Sequence, residues 1–269
     1  MKTTTTNPQK EGKRIHDVLL TRDTNTGATV FLVMAGMGGV KTGFCLDYAE
    51  KIMQWYPDEP VLWRESLKSP VQFTKLKNYD YNILIEEKLN LIFKNINTNK
   101  EFIPKYTTFK NYDDLLNKCK KQHLNIVFFN NEENWKDLIE HCNNINGWYT
   151  ILFDEIEDIF PSGTRDNQWH WIQTCADTIK HCRRGLTTIG GNCHKGHTID
   201  YRIYDKVMIH VYGFGSKPDT HSRIRRECLD GITRGEFWIE EEHTRFGYLK
   251  LKNEYIPKNE AWTITKKND

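Results

Sequence analysis

The junction at residues 29–43 constrains this chain more than any other stretch. Thr29–Ala35 (TVFLVMA) is a short apolar run rich in β-branched residues, which reads as a buried strand. Gly36-Met-Gly-Gly-Val-Lys-Thr-Gly43 follows at once, with four glycines in eight residues. Phe44, Leu46, Ala49, Ile52 and Met53 then recur at helical spacing up to Trp55. A glycine-rich turn between a buried strand and a helix has a specific use. Its amide N–H groups and the helix N-terminus form a positive cradle for phosphate. A lysine there neutralises the outer phosphates, and the next hydroxyl ligates magnesium. Lys41 and Thr42 stand in those places, and the expected cradle is Gly36, Gly38, Gly39, Val40, Lys41, Thr42 and Gly43. The spacing departs from G-x-x-x-x-G-K-[ST]. Ala35 lies six before Lys41 and Val40 directly before it, as if GMGGVGKT had lost a glycine. A tight turn with a solvated lysine stays open as the other reading.

The remaining pattern is mostly alternating. Strands are expected at Pro60–Trp63, Asn125–Phe129, Trp148–Phe153, Leu186–Gly190 and Lys206–Tyr212. Helices are expected around Ile83–Phe93 and over Tyr112–Lys121, Glu133–Cys142, Gln168–Cys182 and Thr220–Leu229. Gly235–Glu240 and Gly247–Leu251 resemble a terminal hairpin, with a polar tail after Pro257. Strands alternating with helices of this length argue for an α/β domain with a mainly parallel sheet. With 38% hydrophobic and 12% aromatic residues, the 269-residue chain is not disordered throughout. Its longest apolar run falls far short of the ~20 residues that span a bilayer. The N-terminus lacks the apolar core of a signal peptide. A net charge of +2 gives no global argument for nucleic acid.

Seven cysteines, with no CxxC, read as free thiols of a reducing cytoplasm (host cytoplasm for a viral protein). Cys182 with Cys193, His194 and His197 offers soft ligands, but the ten-residue gap matches no standard zinc finger. Buried thiols beside surface imidazoles are expected, with zinc as the alternative.

A second chemical signal ends the strand Trp148–Phe153: the adjacent carboxylates Asp154 and Glu155. Ligands of open α/β sheets bind at that end of a strand. Asp154 is placed to hold magnesium and Glu155 to polarise an attacking water; capping of the next turn is the alternative.

Together the two motifs resemble the P-loop NTPases of the additional-strand, catalytic-glutamate division. The resemblance implies a three-layer sandwich and ATP hydrolysis, with Lys41 on phosphate, Thr42 and Asp154 on Mg2+, and Glu155 as base. It also implies a further strand between the two motif strands. Leu186-Thr-Thr-Ile-Gly-Gly-Asn192 suits it, with Asn192 as the γ-phosphate sensor, Thr188 as fallback, and a simple Gly-Gly-Asn turn as the other reading. Within that division the region after Glu155 looks most like the FtsK–HerA group of DNA translocases, conjugation coupling proteins and packaging ATPases. The resemblance covers roughly 30–251. On it, residues 29–252 form the ATPase domain with an insertion at 65–110, between a polar lead (1–28) and a polar tail (253–269).

Such oligomers complete a site with a neighbour's arginine. Arg183 and Arg184 are the first candidates and Arg165 the second, against simple dipole pairing at a helix end. Lys217, Arg223, Arg225 and Arg226 form a basic run that could meet DNA phosphates or be a solvated face. His194, Lys195 and His197 could add to that patch. The expected whole is an ATP-driven homo-oligomeric ring acting on DNA. A nucleotide-binding switch or scaffold is the alternative, and a metal nuclease using Asp154, Glu155, Glu157 and Asp158 is a weaker third.

Overall fold

A computed structural model of the chain describes residues 19–20, 27–36, 40–65, 76, 78–145, 147–162, 166–182, 184–217, 229–241, 245–251 and 262–266. β1 (Val30–Met34) leads into α1 (Lys41–Trp55) and then β2 (Val61–Arg64). β3 (Asp80–Glu86), β4 (Leu91–Asn95), β5 (Glu101–Phe102) and β6 (Tyr106–Phe109) follow. Next come α2 (Tyr112–Lys118), β7 (His123–Phe128), α3 (Asn134–Asn144), β8 (Tyr149–Phe153), α4 (Asp166–His181) and β9 (Thr187–Cys193). After a one-turn helix at Tyr201–Tyr204, β10 (Ile209–Gly213), β11 (Glu236–Glu241), β12 (Arg245–Lys250) and β13 (Trp262–Lys266) complete the described strands.

Ten strands form one sheet in the order β12-β11-β10-β1-β9-β8-β2-β7-β3-β6. From β10 to β6 every neighbouring pair is parallel, and β11 and β12 add antiparallel strands at one edge, as the expected hairpin. A parallel strand covered on both faces must be apolar on both. β1 is buried throughout: Val30, Leu32 and Met34 enter one core, Phe31 and Val33 the other. The first core is covered by Trp135, Leu138 and Ile139 of α3 and Ile172, Cys175 and Ile179 of α4. The second is covered by Phe44, Tyr48, Ala49 and Ile52 of α1. The result is the expected three-layer α/β sandwich.

β9 lies between β1 and β8, so a strand does separate the two motif strands. Gly190-Gly191-Asn192 belongs to that strand and is not a turn. Its glycines serve packing. A Cβ on Gly190 would stand 2.1 Å from Phe31 Cζ, and one on Gly191 2.8 Å from Ile156 Cδ1.

The helix expected around Ile83–Phe93 is instead the strands β3 and β4. Ile83, Leu84 and Ile85 are buried on both faces, and a short continuous apolar run has no period that separates strand from helix. Asn82, which weakens a strand signal, is satisfied by Asn125: Nδ2 donates to Oδ1 over 3.0 Å. β3 and β6 lie in the main sheet, whereas β4 pairs with β13 on one side and β5 on the other in a separate three-stranded sheet. The polar tail expected after Pro257 therefore contains a strand, and Ile264 seals it into the second core. Leu19 and Leu20 of the lead are also buried, with the Leu19 carbonyl accepting from Tyr48 Oη. The helix expected over Tyr112–Lys121 stops at Lys118. The basic helix expected over Thr220–Leu229 lies outside the described residues except for Leu229.

Gly190→Ala should cost about 1–3 kcal/mol of folding stability by overpacking against Phe31. Urea unfolding checks this, and adding Phe31→Leu should recover part of the loss. A Gly190→Ala protein as stable as the wild type would contradict the packing described.

Candidate active site

The carboxyl ends of β1, β9 and β8 lie side by side. β1 ends at Met34 and α1 begins at Lys41, so seven residues after the strand the chain is already helical. Val40 makes the turn in the left-handed region, φ 63° and ψ 29°. Glycine takes that conformation freely, while a β-branched residue is strained there. The turn thus survives at the position where the standard motif carries its second glycine. Gly36 meets the loop after β10: its N–H donates to the Phe214 carbonyl over 2.9 Å, and a Cβ on it would stand 3.3 Å from Gly215 Cα. Gly43 is buried in the first turn of α1. Gly38 and Gly39 lie outside the described residues.

Asp154, directly after β8, is the hub. Its Oδ1 accepts from Thr42 Oγ1 over 3.0 Å and from Asn192 Nδ2 over 2.7 Å. Asn192 also accepts, through Oδ1, the Glu155 N–H at 3.1 Å. One amide at the end of β9 thereby orients both members of the acidic pair. Burial pushes the Asp154 carboxyl up from its ordinary value, opposed by those two donors. Thr188 is remote from this cluster, paired with Thr150 near the start of β9.

Lys41 is almost fully buried, and burial pulls its ammonium below its ordinary value, against the pull of the Glu157, Asp154 and Glu155 carboxylates. Its Nζ donates to the Ala35 carbonyl at 3.3 Å and lies 2.9 Å from His194 Nδ1. His194 Nε2 faces Glu155 Oε1 at 3.8 Å. Glu155 sits at φ 50°, a left-handed residue that turns the chain out of β8.

Sequence reasoning missed several members of the site. His194 entered only as a soft ligand or as part of a basic patch. Arg64, at the end of β2, donates to the Asp154 carbonyl at 2.8 Å and lies 3.7 Å from Asp158. Glu65 follows it, accepting from Trp63 Nε1 at 2.7 Å, and burial beside Asp154 pushes its carboxyl well up. The signal was available: Arg64-Glu65 ends an apolar strand just as Asp154-Glu155 does.

Other expected residues fall elsewhere. Arg184 precedes β9 and is exposed near the opposite end of that strand, about 20 Å from Asn192 at strand rise. Lys217 and Lys195 are exposed, while Arg165, Arg183, Arg223, Arg225 and Arg226 lie outside the described residues. Among the described residues no group of three or more His, Cys, Asp or Glu side chains is arranged to hold a metal, and no helix is long and apolar enough to cross a membrane.

No family model and no curated protein matches the chain. Solved structures do. The genome packaging NTPase B204 of Sulfolobus turreted icosahedral virus 2, in complex with AMPPCP, aligns with TM-score 0.56 at 12% identity, over 86% of this chain and 100% of that one. The fold is that of the P-loop NTPases. The same protein with ATP-gammaS aligns at TM-score 0.55 and 9% identity, over 85% and 98% of the two chains. The DNA-packaging ATPase B204 of Sulfolobus turreted icosahedral virus gives 0.54 and 11%, over 84% and 98%.

The donor set of the site suits a hard cation. A hydroxyl and a carboxylate oxygen 3.0 Å apart, in a pocket that raises the carboxyl's proton affinity, are what magnesium takes when phosphates and water fill its other positions. An acid whose native pKa exceeds its unfolded value destabilises the fold increasingly as pH rises through that interval. Nucleotide-free Asp154→Asn should therefore be at least as stable as the wild type at neutral pH. Its advantage should shrink as pH falls towards 4, the ordinary carboxyl range. Thermal unfolding across pH measures this; an advantage that grows on acidification would contradict the buried-anion account.

Proposed function

We propose that this chain binds ATP with Mg2+ in the P-loop and hydrolyses it, working as a homo-oligomeric motor that translocates or packages DNA. The observation that carries the proposal is the meeting of Thr42, Asn192 and Asp154 on one carboxylate oxygen. It joins the phosphate-loop helix, the acidic strand and the strand between them.

In this assignment Gly36, Gly38, Gly39, Val40 and Gly43 shape the cradle, and Lys41 moves from Ala35 and His194 onto the phosphates. Thr42 and Asp154 would hold the metal, which would supply charge neutralisation at the phosphates. Glu155 orients the attacking water and accepts its proton, while Asn192 senses the γ-phosphate and fixes the Glu155 backbone. Arg183 and Arg184 would act on the next subunit's nucleotide, for which the exposed position of Arg184 is suitable. Lys217, with Arg223, Arg225 and Arg226, would face DNA. The motor reading is supported by likeness to proteins described as a genome packaging NTPase and a DNA-packaging ATPase, and the cytoplasmic setting is carried over from the free cysteines of the sequence.

A second reading, a nucleotide switch with slow turnover, is favoured by the strained Val40 and by the contacts that hold Lys41 off the loop. ATPase assays with and without DNA separate the two. Glu155→Gln should leave ATP affinity intact and lower turnover about 10²–10⁴-fold, the usual share of a general base. Lys41→Ala should abolish binding. Wild-type turnover by Glu155→Gln would overturn the catalytic-glutamate assignment, and equal ATP affinity for Lys41→Ala would overturn the cradle.

A further inference from the structure

His194 touches both halves of the proposed chemistry. Its Nδ1 lies 2.9 Å from Lys41 Nζ, and its Nε2 lies 3.8 Å from Glu155 Oε1. An ammonium has only donors, so Nδ1 must accept and the ring proton must sit on Nε2, aimed at the carboxylate. The backbone of His194 is held in place from behind. Its N–H donates to Glu157 Oε1 over 2.9 Å, while the other oxygen of that half-buried residue's carboxylate, itself shielded from solvent, has no hydrogen-bond partner. The residue also follows directly on the strand end that carries Asn192, so its backbone is fixed to the Asp154 cluster.

Resting on the hydrolase assignment above, we propose that His194 is a positioning residue that couples Lys41 to Glu155, so that phosphate at the lysine sets the carboxylate that polarises water. Without nucleotide, Nδ1 and the Ala35 carbonyl hold the Lys41 ammonium. When phosphate draws Lys41 away, Nδ1 loses its donor and the imidazole is released from one side. Its Nε2–H then closes the 3.8 Å gap to Glu155, a distance of the kind that tightens when substrate completes a site. Glu155, whose backbone Asn192 already fixes, thereby gains a side-chain contact when the cradle is filled, which ties the priming of water to phosphate at Lys41.

The two ring nitrogens can be tested separately. Gln offers a donor near the place of Nε2, whereas Asn offers an acceptor near that of Nδ1 but is too short to reach Glu155. With His194→Ala, affinity for a non-hydrolysable ATP analogue should stay within about threefold of the wild type or improve, since Lys41 starts free. Single-turnover ATP hydrolysis should fall about ten- to hundredfold, the usual effect of removing a group that orients a reacting one. His194→Gln should recover most of that loss and His194→Asn should not. His194→Ala placed on Glu155→Gln should cost nothing further, because the two act as a unit. Ring-nitrogen NMR of the wild type should report the Nε2–H tautomer without nucleotide and a shifted Nδ1 signal on adding the analogue. Lys41→Ala should reproduce that shift without it. Wild-type turnover by His194→Ala, losses that add to those of Glu155→Gln, or an Nδ1 signal unmoved by the analogue would each overturn the proposal while leaving the hydrolase assignment standing. A wild-type protein that binds the analogue but hydrolyses no ATP would instead remove the hydrolase assignment, and this role with it.

Discussion

Everything at the site depends on one oxygen, Oδ1 of Asp154, and the two hydrogen bonds it accepts. Thr42 brings the first turn of α1 to it, and Asn192 brings the end of β9. Arg64 supports the same residue from the other side by donating to its backbone carbonyl. Three neighbouring strands and the loop helix are thus registered against one another by polar contacts inside a low-dielectric pocket, where satisfied hydrogen bonds are strong and unsatisfied ones costly. The same burial that makes these contacts strong disfavours the Asp154 anion, and burial together with Asp154 pushes the neighbouring Glu65 carboxyl well up. A site built this way is held ready at some expense of stability, a familiar tension between folding and function.

The loop expresses that tension in backbone terms. Val40 occupies a left-handed conformation that glycine would adopt freely, and nothing caps α1 by a side chain. A β-branched residue there stores roughly 1–2 kcal/mol. Such strain persists only where surrounding structure over-determines the chain. Here the constraints are Gly36, locked on Phe214 and Gly215, and Lys41, buried between Ala35 and His194. Lys41 is therefore not loose in solvent before nucleotide arrives. Its two partners are neutral, which makes them easy to exchange for phosphate.

How much of this was legible in the sequence follows from the kind of signal each part left. β1, α1 and the acidic strand end were readable because an apolar run, a glycine turn and a carboxylate pair each fall where the fold uses them. β9 was readable as the intervening strand, although its Gly-Gly pair looks like a turn until Phe31 and Ile156 are seen to occupy the space. β3 and β4 were misread because a doubly buried strand loses its alternation, and because Asn82 is polar for a reason that lies in β7. β13 was invisible because its partner β4 is more than 150 residues away in the chain. His194 was seen but given the wrong company. Only tertiary structure brings it to Lys41, 153 positions earlier. The Arg64-Glu65 pair could have been found by asking of β2 what was asked of β8.

The central claim is that these side chains form a metal-dependent nucleotide site. Calorimetric titration of the full chain with a non-hydrolysable ATP analogue, in the presence and absence of Mg2+, tests it most directly. The account predicts one site per chain, with affinity that falls at least tenfold when Mg2+ is chelated, because Thr42 and Asp154 act through the metal; a tenfold loss is about 1.4 kcal/mol. No heat of binding in either condition, or affinity indifferent to Mg2+, would contradict it.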